Sequence, residues 1–248
     1  MRFLLGVIAL SVCACARGES AKDTRGDSSG APAGDKRASA MSGAAVPEPA
    51  AARTPPSDAP ATVLFVGTSL TAGLGLDPDD AYPAVLQRMA DAAGYNVRMV
   101  NAGLSGETSA GALRRVAWLL REPAALVLIE TGANDGLRGL DVDSTRANLV
   151  AIVRAVKSAL PSAPVLLVQM EAPPNLGQDY TRKFHDNFPA VAESEGAELV
   201  PFLLEGVAGV RKLNQPDGIH PTREGAKQVA KNIWKSLFPK LAALKTSP

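Results

Sequence analysis

Cysteine is nearly absent: the 248 residues contain only Cys13 and Cys15, both close to the start. The body of the chain can therefore hold neither a disulfide framework nor a thiolate-ligated zinc site, and its stability has to come from packing. Histidine is equally scarce. Only His185 and His220 occur, so any chemistry that needs an imidazole has two candidates. Neither sign of charge is in surplus: residues 1–60 carry seven Lys/Arg against six Asp/Glu, and the other 188 carry nineteen of each. That balance lacks the basic footprint of a nucleic-acid binder. Long apolar runs are missing too, since the stretch at residues 3–12 falls well short of the ~20 residues a spanning helix needs. What remains, at 46% hydrophobic and 21% charged, is a soluble composition whose length suits one domain plus accessory segments.

The short apolar stretch follows Met1 and Arg2, a minimal basic n-region, and reads as an export signal. Val12-Cys13-Ala14-Cys15 resembles a bacterial lipobox, with Ala14 as the small residue before cleavage and Cys15 as the lipidated new N-terminus. Plain secretion is the alternative. From Arg17 to Pro60, 28 of 44 residues are Ala, Gly, Ser or Pro, with no aromatic. Such a segment cannot bury enough surface to offset its ordering entropy. The expected organisation is an export signal at 1–15, a disordered linker at 16–60, and a folded domain at 61–248 that the linker holds clear of a membrane. Neither an internal repeat nor a heptad run is present, and the domain is expected to act as a monomer.

Beyond residue 60 the pattern changes to short β-rich apolar runs at 63–66, 97–100, 126–129, 165–168 and 199–202. Between and after them lie helical candidates near 80–93, 108–121, 143–159, 179–195 and 222–238. Alternation at this spacing predicts an α/β fold: a five-stranded parallel sheet covered on both faces, a three-layer flavodoxin-like sandwich. Ligands of such sheets bind beyond the carboxyl ends of the strands. Four of those loops carry chemistry-bearing residues: Ser69 in Gly67-Thr68-Ser69-Leu70, Gly103 after Asn101-Ala102, Asn134-Asp135 after Gly132-Ala133, and Asp217-Gly218-Ile219-His220. His185 sits mid-helix among charged neighbours, a solvated face. His220 is on a loop, with Asp217 three residues earlier, so one turn can set the carboxylate against one ring nitrogen while the other faces Ser69. A hydroxyl, a base and its orienter suit acyl transfer. Trp118 and Leu119, within a helix, are expected in the core.

These four segments, in this order, resemble the Ser, Gly, Asn and His blocks of the SGNH hydrolases, or GDSL esterases, over nearly all of residues 62–240. The run from Leu128 to Gly139 is most similar to the bacterial arylesterase, thioesterase I and lysophospholipase branch. The resemblance implies a carboxylic ester hydrolase acting on a small-molecule or lipid ester without cofactor or metal. It implies Ser69 as nucleophile, His220 as general base and Asp217 as its orienter, with the Ser69 and Gly103 N–H groups and the Asn134 amide holding the oxyanion. Asp135, Gly136, Leu137 and Pro173 are expected near the substrate, the acyl pocket being walled by residues 136–140 and 171–176. Asp135 is also expected to help fix Asn134. One departure stands out, because Thr68 occupies a position where the family usually has Asp. Thr68 is expected to support the oxyanion loop as a neutral group. Ser105 is a rival nucleophile. Other classes are a nucleotide-binding flavodoxin-like module, disfavoured by the lack of a Lys in the loop at 67–75, and a silent tethered module; within the family, an acyltransferase or carbohydrate deacetylase is the alternative.

Overall fold

Continuous apolar runs become the middle of a sheet because every side chain in them must be buried on one face or the other. The protein, seen in a computed structural model that describes residues 59–245, builds its sheet from β1 (Ala61–Gly67), β2 (Val97–Gly103), β3 (Leu126–Ile129), β4 (Val165–Val168) and β5 (Glu198–Val200). The proposed export signal, Cys15 and nearly all of the linker lie outside the described residues. All neighbours pair in parallel, in the order β2-β1-β3-β4-β5. Every residue of β3 and β4 is buried.

The described helices are α1 (Ser69–Ala72), α2 (Tyr82–Ala92), α3 (Ser109–Leu119), α4 (Ala133–Leu137), α5 (Val142–Ala159), α6 (Gln178–Glu195) and α7 (Arg223–Lys245). Right-handed crossovers in this strand order put α2 on one face, where it packs with α7, and α3, α5 and α6 on the other, where they pack in series. The result is the expected three-layer, flavodoxin-like sandwich. Its strand order reverses between β1 and β3, the switch point at which a crevice opens beyond the strand ends. Fully buried Phe65, Leu128, Ile129, Leu149, Leu167 and Phe188 fill the core around the sheet.

Several boundaries differ from expectation for identifiable reasons. β5 stops at Val200 because Pro201 has no N–H to donate to a ladder. α7 runs past Pro239 to Lys245, its anchors Leu237 and Leu241 being fully buried on either side of the proline. Trp118 is not in the core. α3 buries Ala112 and Val116, one turn apart, and Trp118 falls on the outward side of that stripe, 64% exposed. Leu119 does pack against the core, partly buried.

Burial therefore predicts opposite outcomes for two large apolar residues. Leu128→Ala should lose about 2–5 kcal/mol in urea unfolding, and Trp118→Ala should stay within about 0.5 kcal/mol of the parent.

Candidate active site

β1 ends in a residue that can carry no side chain: a Cβ on Gly67 would sit 1.9 Å from Thr71 Oγ1 and 2.8 Å from Glu130 Oε2. The crowding comes from Glu130, the first residue past β3 and fully buried. Its carboxylate accepts from Thr68 N (2.9 Å), Thr68 Oγ1 (2.9 Å), Thr71 N (3.3 Å) and Thr71 Oγ1 (2.8 Å). Thr71 Oγ1 is in turn 2.8 Å from Tyr82 Oη. Burial pushes the Glu130 carboxyl up from the ordinary range, against the pull of its donors. Burial first, and then the charge of Glu130, raises Tyr82. Thr68 thus supports Glu130 and the turn itself, not the oxyanion loop as expected.

This bracing presents Ser69 at the first position of α1, where helix geometry leaves backbone N–H groups without intrahelical partners. The Ser69 N–H has no partner among the described residues. Its hydroxyl lies 2.8 Å from His220 Nε2, and His220 Nδ1 lies 2.6 Å from Asp217 Oδ2. The other Asp217 oxygen accepts from Ile219 N (2.9 Å) and His220 N (3.0 Å), an Asx-type turn that sets the imidazole relative to the carboxylate. The His220 imidazole, followed by these two amides, holds the Asp217 carboxyl down at about 2. Gln215 docks the loop: its N donates to His220 O (2.7 Å) and its Nε2 to Leu74 O (2.7 Å) and Pro221 O (2.9 Å). His185 is elsewhere, its Nδ1 2.7 Å from Glu171 Oε1 on the exposed side of α6. Ser105 is exposed on the turn after β2, while the imidazole of His220 is engaged with Ser69.

Asn134 stands in α4, and its Nδ2 donates to Glu107 O at 3.0 Å. Asp135 does not touch that side chain. Its buried carboxylate accepts instead from Ser109 N (2.8 Å) and Ser109 Oγ (2.6 Å), pinning α4 to the start of α3. Gly103 is held in two ways. Its N–H already donates to Asn101 Oδ1 (2.9 Å), and a Cβ there would come within 2.2 Å of Ala72 N. Glycine is thus required at 103 by close packing against α1. On the same loop the amides of Ser105 and Gly106 have no partner among the described residues, and Gly106, at φ 78°, has no side chain to obstruct an approaching group.

The cavity beside Ser69, walled by Leu70, Leu74, Leu76, Tyr82, His220 and Val229, holds about 10 Å³, room for one water at most. Asp135, Gly136, Leu137 and Pro173 do not line it. Residues 136–140 and 171–176 instead lie against one another: a Cβ on Gly136 would meet Ala172 at 3.3 Å, and one on Gly139 would meet Leu176 at 3.4 Å. Leu137 projects outward, 44% exposed. Among the described residues, no three His, Cys, Asp or Glu side chains gather as a metal site.

Residues 65–228 match the model of the GDSL-like lipase/acylhydrolase family. The chain is 45% identical over 181 residues to esterase TesA of Pseudomonas aeruginosa (strain PAO1), covering 73% of this chain and 89% of that one. It is 37% identical over 179 residues to thioesterase 1/protease 1/lysophospholipase L1 of Escherichia coli (strain K12), covering 72% and 84%. A crystal structure of the psychrotrophic esterase EstA from Pseudoalteromonas sp., inhibited by monoethylphosphonate, superposes with a TM-score of 0.69 at 36% identity, over 73% of this chain and 98% of that one. The chain belongs to the GDSL-like lipase/acylhydrolase family, the SGNH hydrolases.

Glu130 has a pH signature. Its raised value in the folded state means that its contribution to stability is present below the unfolded carboxylate value and is lost as pH rises through the folded one. Glu130→Gln carries no such proton. The thermal-midpoint advantage of the parent over Glu130→Gln should therefore shrink as pH is raised; an advantage that grows would show the charged form to be the favoured one.

Proposed function

We propose that this protein is an exported serine esterase that cleaves carboxylic esters through an acyl-enzyme, with Ser69 as nucleophile. The observation that carries the reading is the continuous chain from Ser69 Oγ through His220 to Asp217, at 2.8 and 2.6 Å. Asp217 accepts from the Nδ1–H of His220, which leaves the Nε2 lone pair to take the Ser69 proton. As that O–H bond breaks, Oγ bonds to the ester carbonyl carbon and the carbonyl oxygen becomes an oxyanion. The donors we assign to it are Ser69 N–H, the free Nδ2–H of Asn134 and the N–H of Gly103, which turns from Asn101 Oδ1 as the oxyanion forms. Collapse expels the leaving alcohol, which takes the proton back from His220, and water then repeats the sequence on the acyl-Ser69 ester.

The names of the similar proteins, esterase and thioesterase/lysophospholipase, support aryl esters, acyl thioesters and lysophospholipids as the substrates to try. The small cavity at Ser69 supports a substrate whose chain lies on the open edge of the sheet. Cys15, lipidated and left by cleavage as the new N-terminus, would tether the domain outside the cytoplasm through residues 16–60.

Ser69→Ala and His220→Ala should each lose at least about 10³-fold in turnover, with the double variant scarcely worse than either. Asn134→Ala should lose on the order of 10²–10³, and His185→Ala should match the parent. A phosphonate adduct on Ser69 should place its oxygen about 3 Å from the N–H groups of Ser69 and Gly103 and from Asn134 Nδ2. Asp217 keeps its charge far below neutrality, so kcat/KM should fall in acid with the slope of a single proton, about tenfold per pH unit. Retention of most activity by His220→Ala would overturn the assignment.

The tether is tested separately. In a bacterial host, Cys15→Ala should release the protein from the membrane fraction; unchanged partitioning and processing would leave secretion without lipid as the route.

A further inference from the structure

We propose that Arg115, on α3, is a positioning residue for the oxyanion site, acting through Glu107 and Asn134; the proposal rests on the reading of Asn134 as an oxyanion donor. Arg115 is far from Ser69 in sequence, yet its guanidinium reaches parts of three active-site segments. Its Nε and Nη2 grip the two Glu107 carboxylate oxygens at 2.7 and 2.6 Å. The same Nη2 donates to Ala102 O at 2.8 Å and to Gly67 O at 3.2 Å. Gly67 stands two residues before Ser69, and its carbonyl also accepts from Leu104 N at 2.9 Å. Ala102 precedes the last residue of β2. Glu107 supplies the third connection, because its backbone oxygen is the acceptor that orients Asn134 Nδ2.

The Glu107 side chain is only 4% exposed and that of Arg115 is 22% exposed. Gly111, one turn along, leaves room for the carboxylate, since a Cβ there would sit 2.7 Å from Glu107 Cγ. Without the guanidinium, the Glu107 carboxylate would be buried and unpaired, a state costly enough to make it move or take up a proton. Either change shifts the Glu107 carbonyl and frees the Asn134 amide to turn. Displacement of about 1 Å at a group aimed at developing charge is enough to cost on the order of 10² in rate. A lysine cannot substitute. Its single ammonium lacks the planar fork that satisfies a carboxylate and two carbonyls together.

The experiment is a double-mutant cycle between Arg115→Ala and Asn134→Ala, read as kcat and KM on a p-nitrophenyl ester. Arg115→Ala should lower kcat on the order of 10²-fold with KM nearly unchanged, and adding it to Asn134→Ala should cost little more than Asn134→Ala alone. Guanidinium ion should restore part of the turnover of Arg115→Ala and none of Asn134→Ala. Arg115→Lys, which keeps a charge beside Glu107 and so protects folding, should show the same loss in kcat without a change in KM. Losses that multiply, a rise in KM alone, or full activity of a folded Arg115→Lys would overturn the proposal. Full activity of Asn134→Ala would instead overturn the functional reading beneath it.

Discussion

The reactive end of the molecule depends on one carboxylate with no access to water. Glu130 takes four hydrogen bonds from the two threonines that flank Ser69, and those bonds force the chain leaving β1 into a tight turn. Everything at that turn is shaped by the need to satisfy a buried acceptor. Gly67 has no Cβ because the space is taken, Thr71 spends its hydroxyl inward, and Tyr82 closes the network from α2. The backbone N–H of Ser69 is left over, facing the crevice. The departure at Thr68 fits the same arrangement, for a hydroxyl donates to Glu130 where a second carboxylate would have competed with it for protons.

The site combines one locally assembled pair with partners brought from far along the chain. Asp217 and His220 are three residues apart and meet through a single turn. Ser69 is 151 residues from His220 and is placed by β1 at the point where the strand order reverses. Between them lies the loop at 104–108, stretched from the edge strand β2 to α3 and tied to α4 by Asn134 and Asp135. The placement of Ser69 thus comes from the sheet, and that of His220 from the turn.

Strands and long helices were legible in the sequence because burial on both faces and helical periodicity leave strong patterns over several residues. The two-histidine composition made His220 legible, since His185 had charged neighbours and no serine at a strand end. α1 and α4, at four and five residues, are too short to show a period. Glu130 is legible in principle, for an acid that directly continues the all-buried run of β3 has to find donors inside the protein. Gly103 illustrates a different limit. A glycine that admits a neighbouring helix and one that admits a substrate read alike in one dimension, and only the close approach of Ala72 to Gly103 reveals the first. The bonds of Arg115 left no local trace, because they join segments that are adjacent only once the sheet has formed.

Between β5 and α7 the chain runs through residues 201–222 with a single one-turn 3-10 helix, Arg211–Leu213, and few buried anchors besides Leu203, Val207 and Asn214. His220 rides on this segment, docked to the Ser69 side chiefly by the Gln215 amide on Leu74 O. Segments with few buried apolar contacts open at a smaller free-energy cost than the core around them. His220 is therefore carried on one of the more easily opened parts of an otherwise tightly packed molecule. With His220 as the proposed base, competence should be less durable than foldedness, since heat or denaturant can undock this loop before the sheet gives way.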